Sequence, residues 1–275
     1  MSEKVIISAA LTGAVTPKEK NPNIPLTPEE IAEDAYKCWK AGAAIVHIHM
    51  RDDESLGTMD ADRFEKTAKL IRDRCDVVVN MTTSGDHRAS DDERMAHIIR
   101  CAPEMASYDA GSFNWMPAGI FANSPQFLEK LGGVMTEKSV KPEVEVFDSG
   151  MIDVAGYYVK KGIINGPLHF QFCLGVLGGM RATVKNLVYL QEMIPEGSSW
   201  SAFGVGPAHL PIMYASIAMG GHVRVGLEDN VYYAKGQLAS NVMLVERAAR
   251  AIREFGKEPA TPADAREILG LKGLA

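Results

Sequence analysis

The chain has 275 residues, 46% of them hydrophobic and 23% charged, and a formal net charge of -6 at pH 7. That is enough apolar material for one large α/β core or two small ones, and the scattered basic residues exclude the concentrated positive patch of a nucleic-acid binder. No run approaches the length of a membrane span, Met1-Ser2-Glu3-Lys4 leads without an export signal into Val5-Ile6-Ile7, and Cys38, Cys75, Cys101 and Cys173 form no C-x-x-C pair; a cytoplasmic protein with reduced thiols is expected.

The first strand is expected over Val5 to Ala10. A helix follows over Pro28 to Ala41, where Ile31, Ala35, Cys38 and Trp39 keep the spacing of a buried face. Thr27 is its N-cap, Pro28 takes the first helical position, Glu30 completes a capping box and Gly42 ends it. The second strand, Ile45 to His49, precedes a helix over Asp62 to Asp73 with Phe64, Ala68 and Ile71 on one stripe. Strands are then expected over Val77 to Met81, Met105 to Asp109, Glu143 to Phe147, Leu168 to Phe172, Ser199 to Phe203 and His222 to Val225. A helix over Asn241 to Phe255 carries Leu244, Ala248 and Ile252 inward. No linker interrupts the alternation, so residues 1-275 are expected to form a single (β/α)8 TIM barrel domain, with strands buried on both faces. A doubly wound open sheet is the alternative, but Leu11-Thr12-Gly13-Ala14-Val15-Thr16 lacks the G-x-G-x-x-G of its nucleotide-binding version.

Barrel active sites lie at the C-terminal ends of the strands, and those ends are rich in polar residues here. The period of two along the second strand points His47 and His49 to one face, half of a metal site whose third ligand must come from elsewhere. Thr82-Thr83-Ser84-Gly85 offers hydroxyls and a close-approaching backbone, or else a turn that satisfies itself. Ser107, Asp109 and Ser112 follow the fourth strand. Glu143 and Glu145 share one face of an apolar strand and need a partner inside a barrel; Arg224 is the candidate. Glu228 completes a two-histidine, one-carboxylate set suited to zinc, with Asp229 beside it as a base. The glycine-rich stretches 174–180 and 203–207 offer backbone N–H groups to phosphates or are plain turns.

The blocks His-Ile-His-Met-Arg-Asp at 47 to 52, Pro-Glu-Met-Ala at 103 to 106, Pro-Glu-Val-Glu-Val-Phe-Asp-Ser-Gly-Met at 142 to 151 and Gly-Gly-His-Val-Arg-Val-Gly-Leu-Glu-Asp-Asn at 220 to 230 resemble the β-keto acid cleavage enzymes, over nearly the whole chain. The resemblance implies a zinc-dependent barrel, usually a homotetramer, that converts a β-keto acid and acetyl-CoA into acetoacetate and a new acyl-CoA. On the matching motifs it implies His47, His49 and Glu228 as metal ligands and Asp229 as catalytic base, supported by Arg224 and Glu143. Thr82 and Gly85 fall on the substrate-carboxylate site, and Thr83, Ser107, Asp109 and Val15 are expected nearby, facing substrate. Such chemistry needs no cysteine nucleophile, and none is expected near the metal ligands.

Two departures bear on the substrate. Val15 stands where the aminohexanoate-cleaving member of the family has a glutamate for the substrate amino group, and Asp109 replaces an asparagine. The expected substrate is therefore a β-keto acid of another type, with a side chain either apolar against Val15 or cationic near Asp109. The rival reading is a zinc barrel hydrolase of amides or esters, although its H-x-H pair would lie on the first strand rather than the second. A catalytically inactive binding protein for a metal or small acid is the third.

Overall fold

The computed structural model describes residues 3 to 272. Eight parallel strands close into a barrel in chain order: β1 (Ile7–Ala10), β2 (Ile45–Ile48), β3 (Val78–Met81), β4 (Met105–Asp109), β5 (Lys141–Val146), β6 (His169–Leu174), β7 (Ser199–Gly204) and β8 (His222–Val225), which pairs back onto β1. The helices α1 (Pro28–Ala41), α2 (Ala61–Arg72), α3 (Asp91–Cys101), α4 (Pro125–Lys138), α5 (Gly150–Lys160), α6 (Val184–Met193), α7 (His209–Ala218) and α8 (Asn241–Glu254) follow the strands in turn, and α9 (Pro262–Leu269) ends the described chain. This is a (β/α)8 TIM barrel. Among the described residues, no helix is long and apolar enough to cross a membrane.

Local signals account for α1 as expected. Thr27 and Glu30 form the reciprocal capping box, and Gly42 ends the helix at φ 115, a conformation that a side chain would resist. Strand ends differ from the apolar runs because pairing sets them. The expected first strand breaks at Ile6, whose N–H donates to His222 Nδ1 at 3.1 Å, and Lys4–Val5 instead pairs with Glu258–Pro259 outside the barrel. Lys141 extends β5 by pairing with Met105, and Leu174 extends β6 by pairing with Gly204. His49 lies one residue beyond β2. Short antiparallel ribbons decorate the loops after β2, β4 and β8: Met50–Arg51 with Gly57–Thr58, Phe113–Trp115 with Gly119–Phe121, and Tyr232–Ala234 with Gln237–Leu238.

The interior is divided along the barrel axis. At the N-terminal end of the strands Ile6, Ile45, Val78 and Met105 pack against Ala265 and Leu269 of α9, a small cluster separate from the main core. Arg266 anchors α9 there through the buried Glu104, with Nε to Oε1 at 2.6 Å. The opposite ends carry the polar set.

Asn241, fully buried at the start of α8, ties that helix to the barrel mouth. Its Nδ2 donates to Leu11 O and to Asp34 Oδ2, and its Oδ1 accepts the Leu227 N–H at 2.8 Å. Burial lifts the Asp34 carboxyl from its usual 3.8 to about 6, against the pull of the Asn241 hydrogen bond. Between those values the folded state holds a proton that the unfolded chain has released, so stability falls as pH rises from 4 to 6 and stays lower above. Asp34→Asn keeps the acceptor without the charge. It is expected to be more stable than wild type at pH 7 by about 1–2 kcal/mol, a gap that closes below pH 4. Urea denaturation at pH 3.5 and 7 checks this, and equal stabilities at both pH values would contradict it.

Candidate active site

His47, from inside β2, and His49, just past its end, are 1% and 6% exposed. Across from them the chain leaves β8 through Gly226, at φ 149, where an added Cβ would lie 2.0 Å from Ala10 O. Only a glycine allows that approach, and it turns Glu228 toward the histidines. His49 Nε2 lies 3.4 Å and His47 Nε2 3.8 Å from Glu228 Oε1. A tetrahedral ion bound at 2.0–2.1 Å spaces its ligand atoms about 3.3 Å apart, so one ion fits between these three with small adjustments. Gly13, at φ 64, backs the carboxylate so closely that a Cβ would sit 2.8 Å from Glu228 Cγ.

Protonation also suits a cation. Burial keeps the His47 imidazole well below its usual pKa, hence neutral and able to ligate. Burial works against the Glu228 carboxylate, but its neighbours, His49 and Arg224 foremost, hold it well below the usual range. The other nitrogen of each histidine ring, Nδ1, and Glu228 Oε2 are buried without a hydrogen-bond partner among the described residues.

Arg224 organises the carboxylates. Its Nε and Nη2 grip Asp229 side-on, at 3.0 and 3.1 Å, while Nη2 also reaches Glu228 Oε1 at 2.5 Å and Nη1 reaches Glu145 Oε1 at 3.0 Å. The face of the guanidinium lies over Phe203, 4.7 Å from the ring centre. One guanidinium cannot neutralise three carboxylates in a dry interior. Burial, and then the adjacent Asp109, push Glu145 well above the usual range, and burial lifts Asp229 to about 6 while Arg224 pulls it down.

The partner expected for Glu143 is corrected. Arg224 takes Glu145, whereas Glu143 Oε2 accepts Asn80 Nδ2 at 2.6 Å and lies 3.9 Å from His47 Nδ1. The register explains this, because Glu143 sits one inward step deeper on β5 than Glu145. Thr83 and Ser107 also differ from expectation as substrate-facing groups. They are spent on each other: Thr83 N donates to Ser107 Oγ at 3.0 Å and Thr83 Oγ1 to Ser107 O at 3.0 Å. Thr82 Oγ1 accepts the Ser84 N–H at 3.1 Å, which leaves its own proton to donate. The Gly85 N–H points at the weak acceptor Met59 Sδ, and a side chain at Gly85 would crowd His49.

Asp109 is 1% exposed and, apart from a contact with the Glu145 carboxyl, has no donor on either oxygen. Val15 is 62% exposed at the rim, so it is not brought together with the buried set. Its segment is pinned by the buried Arg51, which donates to Gly13 O at 2.7 Å and Thr16 O at 2.9 Å. Cys173, on the inner face of β6, feels the charges of Glu145, Arg224, Asp109 and Asp229, none of them a proposed metal ligand. Burial pushes its thiol well up, so it stays protonated and unreactive. In the β6 loop Gly175 and Gly179 spend their N–H groups on Met180 O and Val176 O, so that loop closes on itself instead of offering a phosphate cradle.

Sequence reasoning paired Glu145 with Arg224, as found, but gave neither it nor Asn80 a role in the site, and it missed Arg94 and His97 altogether. Asn80 and Glu145 were visible as polar residues within apolar strands. Arg94 and His97 lie on α3, away from any strand end, and carried no such signal.

Fold and site together define a TIM barrel with a two-histidine, one-carboxylate cluster and a guanidinium-held aspartate at its mouth. The chain belongs to the β-keto acid cleavage enzyme family, whose model matches residues 4–271. It is 48% identical to the 3-keto-5-aminohexanoate cleavage enzyme of Fusobacterium nucleatum, over 99% of this chain and 100% of that one. It is 33% identical to the 3-dehydrocarnitine:acetyl-CoA trimethylamine transferase of Rhizobium meliloti, over 98% of each. Among solved structures, apo ObcA shares the fold with a TM-score of 0.81 at 22% identity; the match covers 91% of this chain and 66% of ObcA, slightly under two thirds of its length. These relatives lend the barrel-hydrolase reading no support.

Proposed function

We propose that this chain converts a β-keto acid and acetyl-CoA into acetoacetate and a new acyl-CoA, with zinc held by His47, His49 and Glu228. The observation that carries the reading is Asp229, gripped on both oxygens by Arg224 beside that cluster. When bound, the cation would neutralise charge developing on the substrate keto oxygen and so acidify C2. Thr82 donates its hydroxyl proton to the substrate carboxylate. Asp229 removes the C2 proton, and the carbanion attacks the thioester carbonyl of acetyl-CoA, expelling CoA thiolate. The thiolate then attacks the original keto carbon, the C2 bond to that carbon breaks, and Asp229 returns its proton to C2 of the departing acetoacetate. Atoms and charge balance with no other reactant. Arg224 keeps Asp229 aimed, and Glu143 has the position of an outer carboxylate that orients His47.

The substrate side chain is proposed to be cationic. Asp109, Glu143, Glu145, Glu228 and Asp229 share the mouth with the guanidinium of Arg224, Arg51 and Arg94 lie within electrostatic reach of Glu228 and Asp109, and the substrate adds its own carboxylate to a set in which acids still outnumber guanidinium groups. An ammonium group beside Asp109 relieves that excess. The carboxylate which the aminohexanoate-cleaving family member offers at position 15 is then supplied by Asp109, and the two relatives above have an amine in their names. We further propose a homotetramer, as the resemblance implies, of single-domain subunits in the cytoplasm, as the unbroken alternation and the unpaired cysteines suggest.

Acetoacetate formation by the zinc-loaded protein, with and without acetyl-CoA, across cationic, neutral and acidic β-keto acids tests the reading. Product that depends on acetyl-CoA and is fastest with a cationic substrate is expected. No product from any acid, despite bound metal, would sink the reaction assignment, and a preference for acidic substrates would sink the cationic one.

A further inference from the structure

We infer that Arg94 and His97 are positioning residues that set the substrate-carboxylate loop from outside the barrel. The inference rests on the reading of Thr82 given above. Both side chains lie on the inward face of α3, 7% and 0% exposed, and they hold consecutive carbonyls: Arg94 Nε donates to Thr83 O at 2.7 Å, and His97 Nε2 lies 2.8 Å from Thr82 O. Three residues apart on a helix, the two donors stand on the same side, which matches the step between adjacent carbonyls.

The consequence follows from peptide geometry. In a trans peptide the C=O and N–H point opposite ways, so fixing one fixes the other. His97, by holding Thr82 O, turns the Thr83 N–H onto Ser107 Oγ at 3.0 Å. Arg94, by holding Thr83 O, turns the Ser84 N–H onto Thr82 Oγ1 at 3.1 Å. Thr82 Oγ1 thus accepts the Ser84 N–H, and its proton, whose nearest partner in the chain is Ser84 Oγ at a long 3.5 Å, is left for the substrate. The relay runs from guanidinium to carbonyl, amide, hydroxyl and substrate carboxylate, and each link polarises the next.

Neither side chain is explained by packing alone. Arg94 is buried with no carboxylate in hydrogen-bond contact; its other donors reach Ala122 O at 3.0 Å and Asn123 Oδ1 at 2.6 Å, and its plane covers Phe127 at 3.8 Å. A buried guanidinium is costly where an apolar side chain would fill the same space, so the donors are what the site retains. Through Asn123, which bonds Ser112 Oγ and Gly111 O, Arg94 also joins the loop after β3 to the loop after β4, just beyond Asp109. His97 stacks on Phe64 with ring centres 4.0 Å apart, and it is neutral, burial pushing it to about 4; its Nε2 therefore carries the hydrogen in this contact.

The test compares His97→Leu, His97→Gln and Arg94→Met with wild type in steady-state kinetics with each substrate varied. His97→Leu and Arg94→Met are expected to raise KM for the β-keto acid about 10-fold, as for one misplaced hydrogen bond, while KM for acetyl-CoA stays unchanged. His97→Gln, which keeps a side-chain N–H donor, is expected to recover most of that loss. A general fall in active fraction would lower kcat and leave both KM values alone, and that result overturns the inference, as does an unchanged β-keto acid KM. If Arg94→Met does not fold, the His97 pair decides. If wild type makes no acetoacetate, the functional reading falls separately, and calorimetric binding of acetoacetate then replaces KM: equal affinity in wild type and His97→Leu, including no binding by either, overturns the positioning role.

Discussion

Stripping the divalent cation with a chelator is expected to reduce acetoacetate formation by about 10³-fold or more, with recovery on adding zinc back. Deprotonating C2 of a β-keto acid places a full negative charge on oxygen in an interior that already holds several carboxyl groups. Arg224 cannot neutralise that charge, because its donors are committed to Glu145, Glu228 and Asp229. Several kcal/mol of stabilisation must come from elsewhere, and a cation among His47, His49 and Glu228 is the source that the donor set allows. His49→Ala is therefore expected to lose both bound zinc and activity while remaining folded, since His49 lies beyond β2 and outside the strand ladder. Zinc content and rate measured on the same preparation decide the matter. Full activity in a metal-free sample would show that the three side chains are an ion-pair cluster and nothing more.

Asp229→Asn should keep the metal and lose about 10²–10⁴-fold in rate, the usual contribution of a positioned general base. The substitution preserves shape, leaves all three proposed ligands in place and removes only the basic oxygen. A direct readout is exchange of the substrate C2 protons with D2O, followed by NMR in the absence of acetyl-CoA. Wild type is expected to catalyse exchange and the variant is not. If Asp229→Asn exchanges those protons at the wild-type rate, the base lies elsewhere, and Glu143, which burial raises to about 7, would be next to examine.

Much of this was readable in the chain, for identifiable reasons. The eight strands were legible because each is flanked by helices and buries its outer face, so apolar residues recur whatever the inner face holds. His47, His49, Glu228 and Asp229 were legible because each pair is compressed into a few residues at a strand end. The strand termini were not, since Lys141 and Leu174 belong to strands only by virtue of the neighbours that they pair with. The partner of Glu143 depended on depth within the barrel, a quantity that a run of alternating residues does not encode. Arg94 and His97 were hidden for the opposite reason. A helix read by periodicity assigns its charged positions to solvent, yet on α3 both lie with Met95 and Ile98 on the buried side. Thr83 and Ser107 looked free because their mutual satisfaction joins the loop after β3 to β4, across 24 residues of chain.

The helix packed across the N-terminal end of the strands has a bearing on traffic through the molecule. Ala265 and Leu269, seated on Ile6, Ile45, Val78 and Met105, cap the strands with apolar side chains at that end. For the reaction proposed above, the acids and the thioesters are then both handled from the opposite, polar end of the strands.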